Sequence, residues 1–395
     1  MSVETLRIGF IPLVDAAPLV VAADCGFAAD EGLSVELVRE VSWSNVRDKL
    51  NIGLFDAAHL LSPVAIASSL GIGHVRVPLI APFNLGLNGN AITVSPRLHD
   101  ELTAAGDGDI ADPLASARAL ARVVAERKAR GDDALNFGMT FPFSNHNYQL
   151  RFWMAAGGVD PDEDVRMVVL PPPYMVDSLT NGQVDAFCVG APWNSVAVES
   201  GVGRILHFGC VIAARMSEKV LAVREQWAGA HPDVVAALIR ALARAGTFIA
   251  EAANRTTVAA ALSRRLDVPA ELIARTLSGE LKLSRDGKTR GDSRYILLGG
   301  DSTNRPDPVQ AAWLYAQMAR WGQTPLSDEL CAAAQAVFRP DLYDLALRRA
   351  PAPHDGGPRD GVGAFAGPDF TADVGAYVAA WRAQRSGRPR LSLVR

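Results

Sequence analysis

A histidine at the start of a short helix is the first feature of this sequence that could bind a ligand. The stretch 141–158 reads FPFSNHNYQLRFWMAAGG, in which Ser144 is a residue type that caps helices and Gly157-Gly158 is a typical stop signal. His146 would then lie on the first turn of a helix that follows a strand. Free backbone N–H groups and the helix dipole favour a small anion at such a position. The commoner alternative is that His146 merely begins a helix in a solvated loop.

The composition is that of a globular protein and argues against two classes of partner. A length of 395 residues predicts two to three folding units with a large core. The 39 basic and 43 acidic residues give a net charge of −4, without a long basic block, so direct binding of nucleic acid is not expected. No run of about 18 or more uncharged apolar residues is present, so no membrane-spanning helix is predicted.

The N-terminal residues and the cysteines predict a cytoplasmic protein. Residues 1–5 lead directly into the apolar segment Leu6–Ile11, without the basic region, long apolar segment and cleavage site of a signal peptide. The four cysteines are scattered and form no CxxC pair, which predicts buried, reduced thiols: Cys25, Cys188, Cys210 and Cys331.

Strand-like and helix-like segments alternate along the chain, which is typical of an α/β fold. The N-terminal strands are predicted at 6–11, 35–38, 57–61 and 75–80, and residues 87–94 are predicted to form a turn that leads into a further strand. A second unit has strands at 135–139, 165–170 and 186–190, with helices at 113–130 and from His146. Segments 204–210 and 219–224 are predicted as strands that return to the first unit, and the chain is then mainly helical to about Leu347.

This order of elements predicts two α/β lobes, the first interrupted by the second. We assign residues 1–94 to the first lobe, 95–207 to the second and 208–349 to the mainly helical completion of the first. Residues 350–395 would form an extended C-terminal wrap, with a docking helix at 372–385. Such a plan puts a ligand site in the cleft between the lobes, where closure buries it.

Several stretches resemble the nitrate- and bicarbonate-binding (NrtA/CmpA-type) solute-binding proteins, which have the type II periplasmic-binding-protein fold. They are LRIGFIPLVDAAPLVVA (6–22), SWSNVRDKLNIG (42–53), LNGNAITVS (87–95), FPFSNHNYQLRFWMAAGGVDPDEDV (141–165), VDAFCVGAPWN (184–194) and MSEKVLAVR (216–224). Together with weaker matches they span most of residues 6–345. The resemblance therefore implies two α/β lobes around a ligand cleft.

The resemblance also implies a set of anion-binding residues. In the nitrate-binding members a tryptophan, a glutamine, a histidine, a glycine and a lysine hold the anion. By motif these fall on Trp43, Asn90, His146, Gly190 and Lys219. Asn90 is one methylene shorter than the family's glutamine, which leaves its direct contact with the anion open.

The chemistry of nitrate agrees with these residue types. Nitrate is planar, carries one negative charge and only accepts hydrogen bonds, so its site needs donors and a compensating cation. We expect Lys219 to supply the charge and Gly190 to permit close approach of its backbone, which a Cβ would block. The bicarbonate-binding relatives have an acidic residue and a calcium ion at the lysine's place. Lys219 therefore argues against that ligand, and we expect neither metal nor cofactor.

Each residue also has a structural alternative. A lysine at the start of a strand is commonly a solvated surface group, a tryptophan at a helix start such as Trp43 commonly packs in the core, and Gly190 would suit a turn. The joint match to the family's spacing favours the binding role. The remaining histidines are assigned structural or surface roles: His59, His74, His99, His207, His231 and His354.

Two functions follow from the resemblance. Together with the absence of a leader it predicts a cytoplasmic nitrate/nitrite sensor (NasS-type), which holds an RNA-binding antiterminator and releases it when ligand binds, so controlling nitrate-assimilation genes. The alternative is the substrate-binding component of an ABC transporter for nitrate or a related anion or sulfonate, with a permease as partner. Enzymes with this fold are disfavoured, because the sequence has neither clustered cysteines nor a nucleophile–base pair.

Overall fold

The computed structural model describes residues 5–349, 362–371 and 373–386. Within these ranges the strands are β1 (Thr5–Phe10), β2 (Ser34–Arg39), β3 (Ala57–Leu61), β4 (Leu79–Asn88), β5 (Asn90–Val94), β6 (Asn136–Met139), β7 (Arg166–Val169), β8 (Ala186–Gly190), β9 (Arg204–Phe208), β10 (Ser217–Arg224), β11 (Glu280–Lys282), β12 (Thr289–Gly291) and β13 (Ile296–Leu297).

Helices connect the strands and make up most of the chain after β10. They are α1 (Ala17–Asp24), α2 (Phe27–Asp30), α3 (Trp43–Asn51), α4 (Ser62–Leu70), α5 (Pro96–Ala105), α6 (Pro113–Arg130), α7 (Asn145–Gly157), α8 (Met175–Thr180), α9 (Trp193–Glu199), α10 (Gly209–Ile212), α11 (Glu225–Ala230), α12 (Pro232–Ala250), α13 (Arg255–Leu266), α14 (Ala270–Ser278), α15 (Asp301–Asn304), α16 (Pro308–Arg320), α17 (Asp328–Val337), α18 (Pro340–Ala346) and α19 (Val374–Ser386). Short 3-10 turns lie at Val14–Ala16, Pro172–Tyr174 and Ala252–Asn254.

The first lobe is built on a six-stranded mixed sheet with the order β13-β4-β10-β3-β1-β2. Strand β1 runs parallel to β2 and β3, whereas β10 is antiparallel to β3 and β4. Every residue of β3 and β4 is buried, because helices cover both faces of the sheet. This explains why these strands are nearly continuous apolar runs.

The second lobe is built on a five-stranded sheet with the order β7-β6-β8-β5-β9. Strand β6 is parallel to β7 and β8, and β5 is antiparallel to β8 and β9. The chain enters this sheet between β4 and β5 and leaves it between β9 and β10. The two sheets and their helices therefore form two α/β lobes joined by two crossings.

The strands after β4 correct three details of the sequence analysis. Asn90–Val94 was assigned to the first lobe and Arg204–Phe208 was predicted as a strand that returns to it, but the two strands pair with each other in the second sheet. The chain changes sheets at Asn88 and Gly89, which both have positive φ, at the turn predicted ahead of Val94. The strand predicted at 75–80 begins only at Leu79, because Val75 is exposed and Pro78 has no N–H for a ladder.

The C-terminal helix α19 packs against the body of the protein. Trp381 contacts the ring of Phe152 on α7 with centroids 5.5 Å apart, and Gln317 on α16 donates to the Tyr377 hydroxyl at 3.4 Å. Ahead of the helix, Phe365 N–H donates to the carbonyl of Ile212. The predicted wrap at 350–361 lies outside the described residues.

Two further sequence expectations concern cysteines and membranes. All four cysteines are free; Cys188 and Cys210 are buried as predicted, while Cys25 and Cys331 are partly exposed. No helix in the described part of the chain combines the length and apolarity needed to cross a bilayer.

Candidate functional site

Two capped helix starts carry predicted site residues. Trp43 is the first residue of α3, and Ser42 Oγ accepts a hydrogen bond from Asn45 N–H at 3.3 Å. His146 is the second residue of α7, and Ser144 Oγ accepts from Asn147 N–H at 3.1 Å. The predicted cap at Ser144 is confirmed. Both N-caps fix where the helix begins and so which side chain faces the space between the lobes.

Lys219 lies at the centre of a buried cluster of polar side chains. It sits on β10, opposite Leu61 of β3, and its side chain is completely buried. Its Nζ lies 2.9 Å from Asp15 Oδ2 and 2.7 Å from Glu218 Oε1. The ammonium also lies 5.2 Å from the centroid of the Trp43 ring, within the range of a cation–π contact.

Glu218 contacts three of the five predicted site residues. Its Oε1 accepts from Lys219 and lies 3.4 Å from His146 Nε2. Its Oε2 accepts from Asn90 Nδ2 at 3.1 Å. The carboxylate is completely buried. The sequence analysis did not identify Glu218.

A strand irregularity explains why two adjacent residues of β10 both reach this cluster. Side chains of a regular strand alternate between faces, so Glu218 would be expected to point away from Lys219. The pairing of β10 with β4 shifts its register on both sides of Lys219, between Ser217 and Lys219 and again between Lys219 and Val220. A bulge of this kind re-aims side chains and is often found beside functional sites.

Asp15 and His59 complete the cluster and were not predicted as site residues. Asp15 lies in the turn after β1 and forms an ion pair with Lys219 through Oδ2. Its other carboxylate oxygen, Oδ1, lies 2.9 Å from His59 Nε2. The His59 ring packs on Trp43 with centroids 5.4 Å apart. The His59 side chain is fully buried within the cluster, which agrees with a structural role and excludes a surface position.

The Lys219 ammonium already has two anionic partners within the cluster. Burial disfavours charge on Lys219, but Asp15 and Glu218 outweigh it and raise the lysine's pKa. Burial would raise the pKa of Asp15, yet Lys219 and His59 hold it well below its usual range. Asp15 and Lys219 thus form a charged pair at neutral pH. The positive charge of Lys219 is therefore balanced by Asp15 before any ligand binds.

Both imidazoles of the cluster are neutral at pH 7. Burial lowers the pKa of His146 to about 4 and outweighs the attraction of Glu218. Burial likewise lowers the pKa of His59 against the influence of Asp15. His146 Nδ1 lies 3.0 Å from Thr140 Oγ1, and when that hydroxyl donates, Nε2 carries the proton. The neutral ring can then donate toward the cleft.

Several buried nitrogen atoms of the cluster lack a hydrogen-bond partner among the residues that the structure describes. They are Trp43 Nε1, His146 Nε2 and both ring nitrogens of His59. Buried polar groups are normally satisfied, and each exception needs an explanation such as a ligand or an ordered water. Donors that converge next to an ammonium suit a ligand with several oxygen acceptors.

Two glycines shape the second lobe's side of the site. Gly190 pairs with Asn90 in the antiparallel ladder, and Ala191 N–H donates to Gly89. Alternation along the ladder then leaves the N–H of Gly190 pointing away from β5. A Cβ at Gly190 would lie 3.5 Å from Leu13, an ordinary contact, so the surrounding protein atoms do not require a glycine here. The close approach of its backbone to an anion stays a prediction.

Gly209, by contrast, is sterically required. A Cβ there would lie 1.8 Å from Asn90 Oδ1 and 2.7 Å from the amide of Gln149. Gly209 therefore makes room for the side-chain amide of Asn90 in its observed orientation. Nothing in the sequence around Gly209 marked it as part of the site.

Direct hydrogen bonds between the lobes close the cleft over this cluster. Asn145 Nδ2 on α7 donates to the Ser217 carbonyl on β10 at 2.7 Å, and Val14 N–H donates to the Ala191 carbonyl at 2.9 Å. The five predicted residues Trp43, Asn90, His146, Gly190 and Lys219 are all buried where the lobes meet. Trp43 and Lys219 come from the first lobe, and the other three from the second. This corrects the sequence-based assignment of Asn90.

Within the described ranges, no group of three or more His, Cys, Asp or Glu side chains is arranged to hold a metal ion. The predicted ligand contacts themselves stay predictions.

Similar proteins identify the family. The NMT1-like family model matches residues 1–263. The NrtA nitrate/nitrite-binding protein of Synechocystis is 30% identical over 364 residues, which cover 90% of this chain and 78% of that protein. The crystal structure of the periplasmic nitrate-binding protein NrtA from Synechocystis PCC 6803 superposes with a TM-score of 0.80 at 29% identity, covering 88% and 89% of the two chains.

Longer relatives match as well. The nitrate import ATP-binding protein NrtC of Synechocystis is 32% identical over 370 residues, which cover 93% of this chain and 53% of that protein. The chain thus spans about half the length of these ATP-binding relatives. The superposition on NrtA confirms the predicted two-lobed periplasmic-binding-protein fold, and the matches place the chain among solute-binding proteins and not among enzymes, as predicted. The chain belongs to the NMT1-like family, together with the NrtA-type solute-binding proteins.

Proposed function

We propose that the cleft binds one nitrate or nitrite ion and that the chain is the solute-binding component of an ABC-type importer. The observation that carries the proposal is the convergence of Trp43, Asn90, His146, Gly190 and Lys219 in one buried cluster between the lobes. The same five residues match the anion-binding positions of the family that the sequence resembles. The names of the NrtA and NrtC relatives support the choice of ligand.

The chemistry of the cluster suits a small planar oxyanion. Trp43 Nε1 and His146 Nε2 are buried donors without a partner among the described residues, and Lys219 Nζ lies beside them. Hydrogen bonds to an anion in a water-excluded site are individually strong. We expect a dissociation constant in the micromolar range, roughly −8 kcal/mol, without divalent metal.

Calorimetry with a panel of ligands tests this proposal. The purified chain is titrated with nitrate, nitrite, bicarbonate and an alkyl sulfonate, each with EGTA and again with added calcium. Saturable binding of nitrate or nitrite in EGTA is the expected result. Binding of bicarbonate only with calcium, and none of nitrate, would overturn the proposal.

The importer is placed ahead of a sensor because the named relatives are binding proteins and ATP-binding proteins of nitrate and bicarbonate transport. An importer component works outside the inner membrane and engages a permease. The cytoplasmic nitrate/nitrite sensor remains the second proposal, with an RNA-binding antiterminator as its partner. Both proposals place the ligand in the same cleft. They differ in the partner protein, which is a permease for the importer component and the antiterminator for the sensor.

A pull-down distinguishes the two proposals. An anion that contacts both lobes favours the closed state, and a partner that prefers the open state is released by linkage. The sensor would release the antiterminator as nitrate is added, with partner binding weakened roughly 5- to 150-fold at saturation. His146→Ala should hold the partner with or without nitrate. Absence of any complex, together with stimulation of nitrate uptake through a reconstituted permease, would support the importer and exclude the sensor.

A further inference from the structure

We propose that Glu218 is an internal competitor of the anion, whose carboxylate occupies the ligand's hydrogen-bond donors until the ligand displaces it. The inference rests on the proposed function for the identity of the ligand. It concerns a residue that the family motif does not include among the anion contacts. Four observations about Glu218 carry it.

The first observation is the set of partners. Glu218 Oε1 accepts from Lys219 Nζ at 2.7 Å and lies 3.4 Å from His146 Nε2, and Oε2 accepts from Asn90 Nδ2 at 3.1 Å. Three of the five side chains and backbone groups expected to bind the anion therefore face one carboxylate. A lysine or amide hydrogen directed at this carboxylate is not free for a ligand.

The second observation is shape. A carboxylate presents two oxygens on one planar carbon, and nitrite and nitrate present the same arrangement on nitrogen. The two oxygens of Glu218 divide between Lys219 and Asn90, which lie on different lobes. The donors are thus already spaced for a planar oxyanion that bridges the lobes. A free anion and the Glu218 carboxylate would compete for the same positions.

The third observation is charge. Asp15 lies 2.9 Å from Lys219 and balances its charge, and Glu218 is a second carboxyl group in the same fully buried cluster. A further anion beside both carboxylates would be repelled in this low-dielectric environment. The anion therefore binds favourably when Glu218 has left the donors, and Lys219 remains paired with Asp15 throughout.

The fourth observation is the backbone. Glu218 reaches the cluster because of the register shifts around Lys219 on β10, whereas a regular strand would direct it to the opposite face. The side chain is therefore placed in the site by a local feature of the strand.

The test compares nitrate and nitrite affinity in wild type, Glu218→Ala and Glu218→Gln by calorimetry. When the competent state is populated at about 1–10%, the apparent affinity is weakened about 10- to 100-fold. Glu218→Ala should therefore bind nitrate about 10- to 100-fold more tightly than wild type, and Glu218→Gln should lie between them. Affinity of Glu218→Ala equal to that of wild type within about threefold, or weaker, would overturn the proposal.

The matched control is Glu40→Ala. Glu40 is also a buried carboxylate that pairs with a lysine, Lys49, and accepts from an asparagine, Asn45, at 3.3 Å, but it lies outside the cluster. Its removal should leave nitrate affinity within about threefold of wild type. If Glu40→Ala also bound nitrate more tightly than wild type, the gain in affinity would come from the change in net charge. That result would overturn a specific role of Glu218.

A free carboxylate provides a second readout that does not depend on nitrate. Glu218→Ala leaves space for a small carboxylate on the same donors, so acetate should bind this variant and compete with nitrate, while wild type should not bind acetate. Acetate binding by neither protein would overturn the proposal. Acetate binding by Glu218→Ala alone, without nitrate or nitrite binding by either protein, would support the competitor role and contradict the proposed function.

Discussion

Asn145 on α7 donates a hydrogen bond from Nδ2 to the carbonyl of Ser217 on β10 at 2.7 Å, and this bond joins the two lobes directly. Both residues are buried and adjoin site residues, since His146 follows Asn145 and Glu218 follows Ser217. Closure of the lobes and placement of the candidate ligand contacts therefore depend on the same short segments. A ligand that draws His146 toward β10 also favours this hydrogen bond.

Asn145→Ala should weaken closure. The change leaves the Ser217 carbonyl without this donor when the lobes close. Closure then becomes less favourable by about 1–3 kcal/mol, so nitrate should bind roughly 5- to 150-fold more weakly. Calorimetry and small-angle scattering with saturating nitrate would measure the affinity and the degree of closure. Asn147→Ala is the control, because Asn147 Nδ2 donates to Pro142 within the same lobe. Equal effects of the two substitutions would show that the inter-lobe bond has no special role.

Lys219→Ala should impair both stability and ligand binding. It removes the cation between two completely or almost completely buried carboxylates, Asp15 and Glu218. Breaking a buried ion pair typically costs about 3–5 kcal/mol, and nitrate affinity should fall by at least two decades. Chemical denaturation and calorimetry measure the two effects. Arg130→Ala, in which an exposed ion pair with Asp132 is lost, should cost under about 1 kcal/mol. Nitrate binding by Lys219→Ala within about threefold of wild type would contradict the assignment.

Acidification should destabilise the protein in part through His146. Its pKa is about 4 in the folded protein, below the 6.5 of an accessible imidazole, because the ring is buried. The unfolded chain therefore takes up a proton near pH 6.5 that the folded chain does not, so this contribution is present above pH 6.5 and is lost as the pH falls toward 4. The slope is about 1.4 kcal/mol per pH unit, or about 3 kcal/mol over the window.

Urea denaturation between pH 8 and 5 checks this pH dependence. In His146→Gln the free energy of unfolding should change less steeply with pH, because the variant lacks the proton that unfolded wild type takes up at His146. A residual slope is expected, because burial also lowers the pKa of His207, to about 3. Identical slopes in wild type and His146→Gln would show that the folded protein does not suppress protonation of His146.

Local sequence signals predicted the helical part of the site well. The Ser144 cap and the helix that follows it are properties of a short segment. Trp43 and Lys219 were assigned by the family resemblance, and the structure places them together with His146. Glu218 was missed because alternation along a strand predicts opposite faces for adjacent residues, and only the pairing with β4 reveals the shift. The placement of Asn90 in the second lobe depends on non-local strand pairing, and the local turn signal at Asn88-Gly89 does not disclose which sheet the following strand joins.

Gly209→Ala should displace Asn90. The added Cβ would lie 1.8 Å from Asn90 Oδ1, and overpacking of this kind costs about 1–3 kcal/mol. Both thermal stability and nitrate affinity should therefore decrease. Gly229→Ala is the control: this glycine lies in helix α11 with open space around a new Cβ, so alanine should be neutral or stabilising. Unchanged nitrate affinity in Gly209→Ala would show that Asn90 is not needed for binding.

A crystal structure of the chain grown with nitrate tests the central claim most directly, because it locates the anion and Glu218 together. We predict trigonal density between the lobes, with its oxygens about 2.7–3.2 Å from Lys219 Nζ, His146 Nε2 and Asn90 Nδ2, and the Glu218 carboxylate turned away from these donors. Saturating nitrate that leaves Glu218 on Lys219 and Asn90, with no anion in the cleft, would contradict the account.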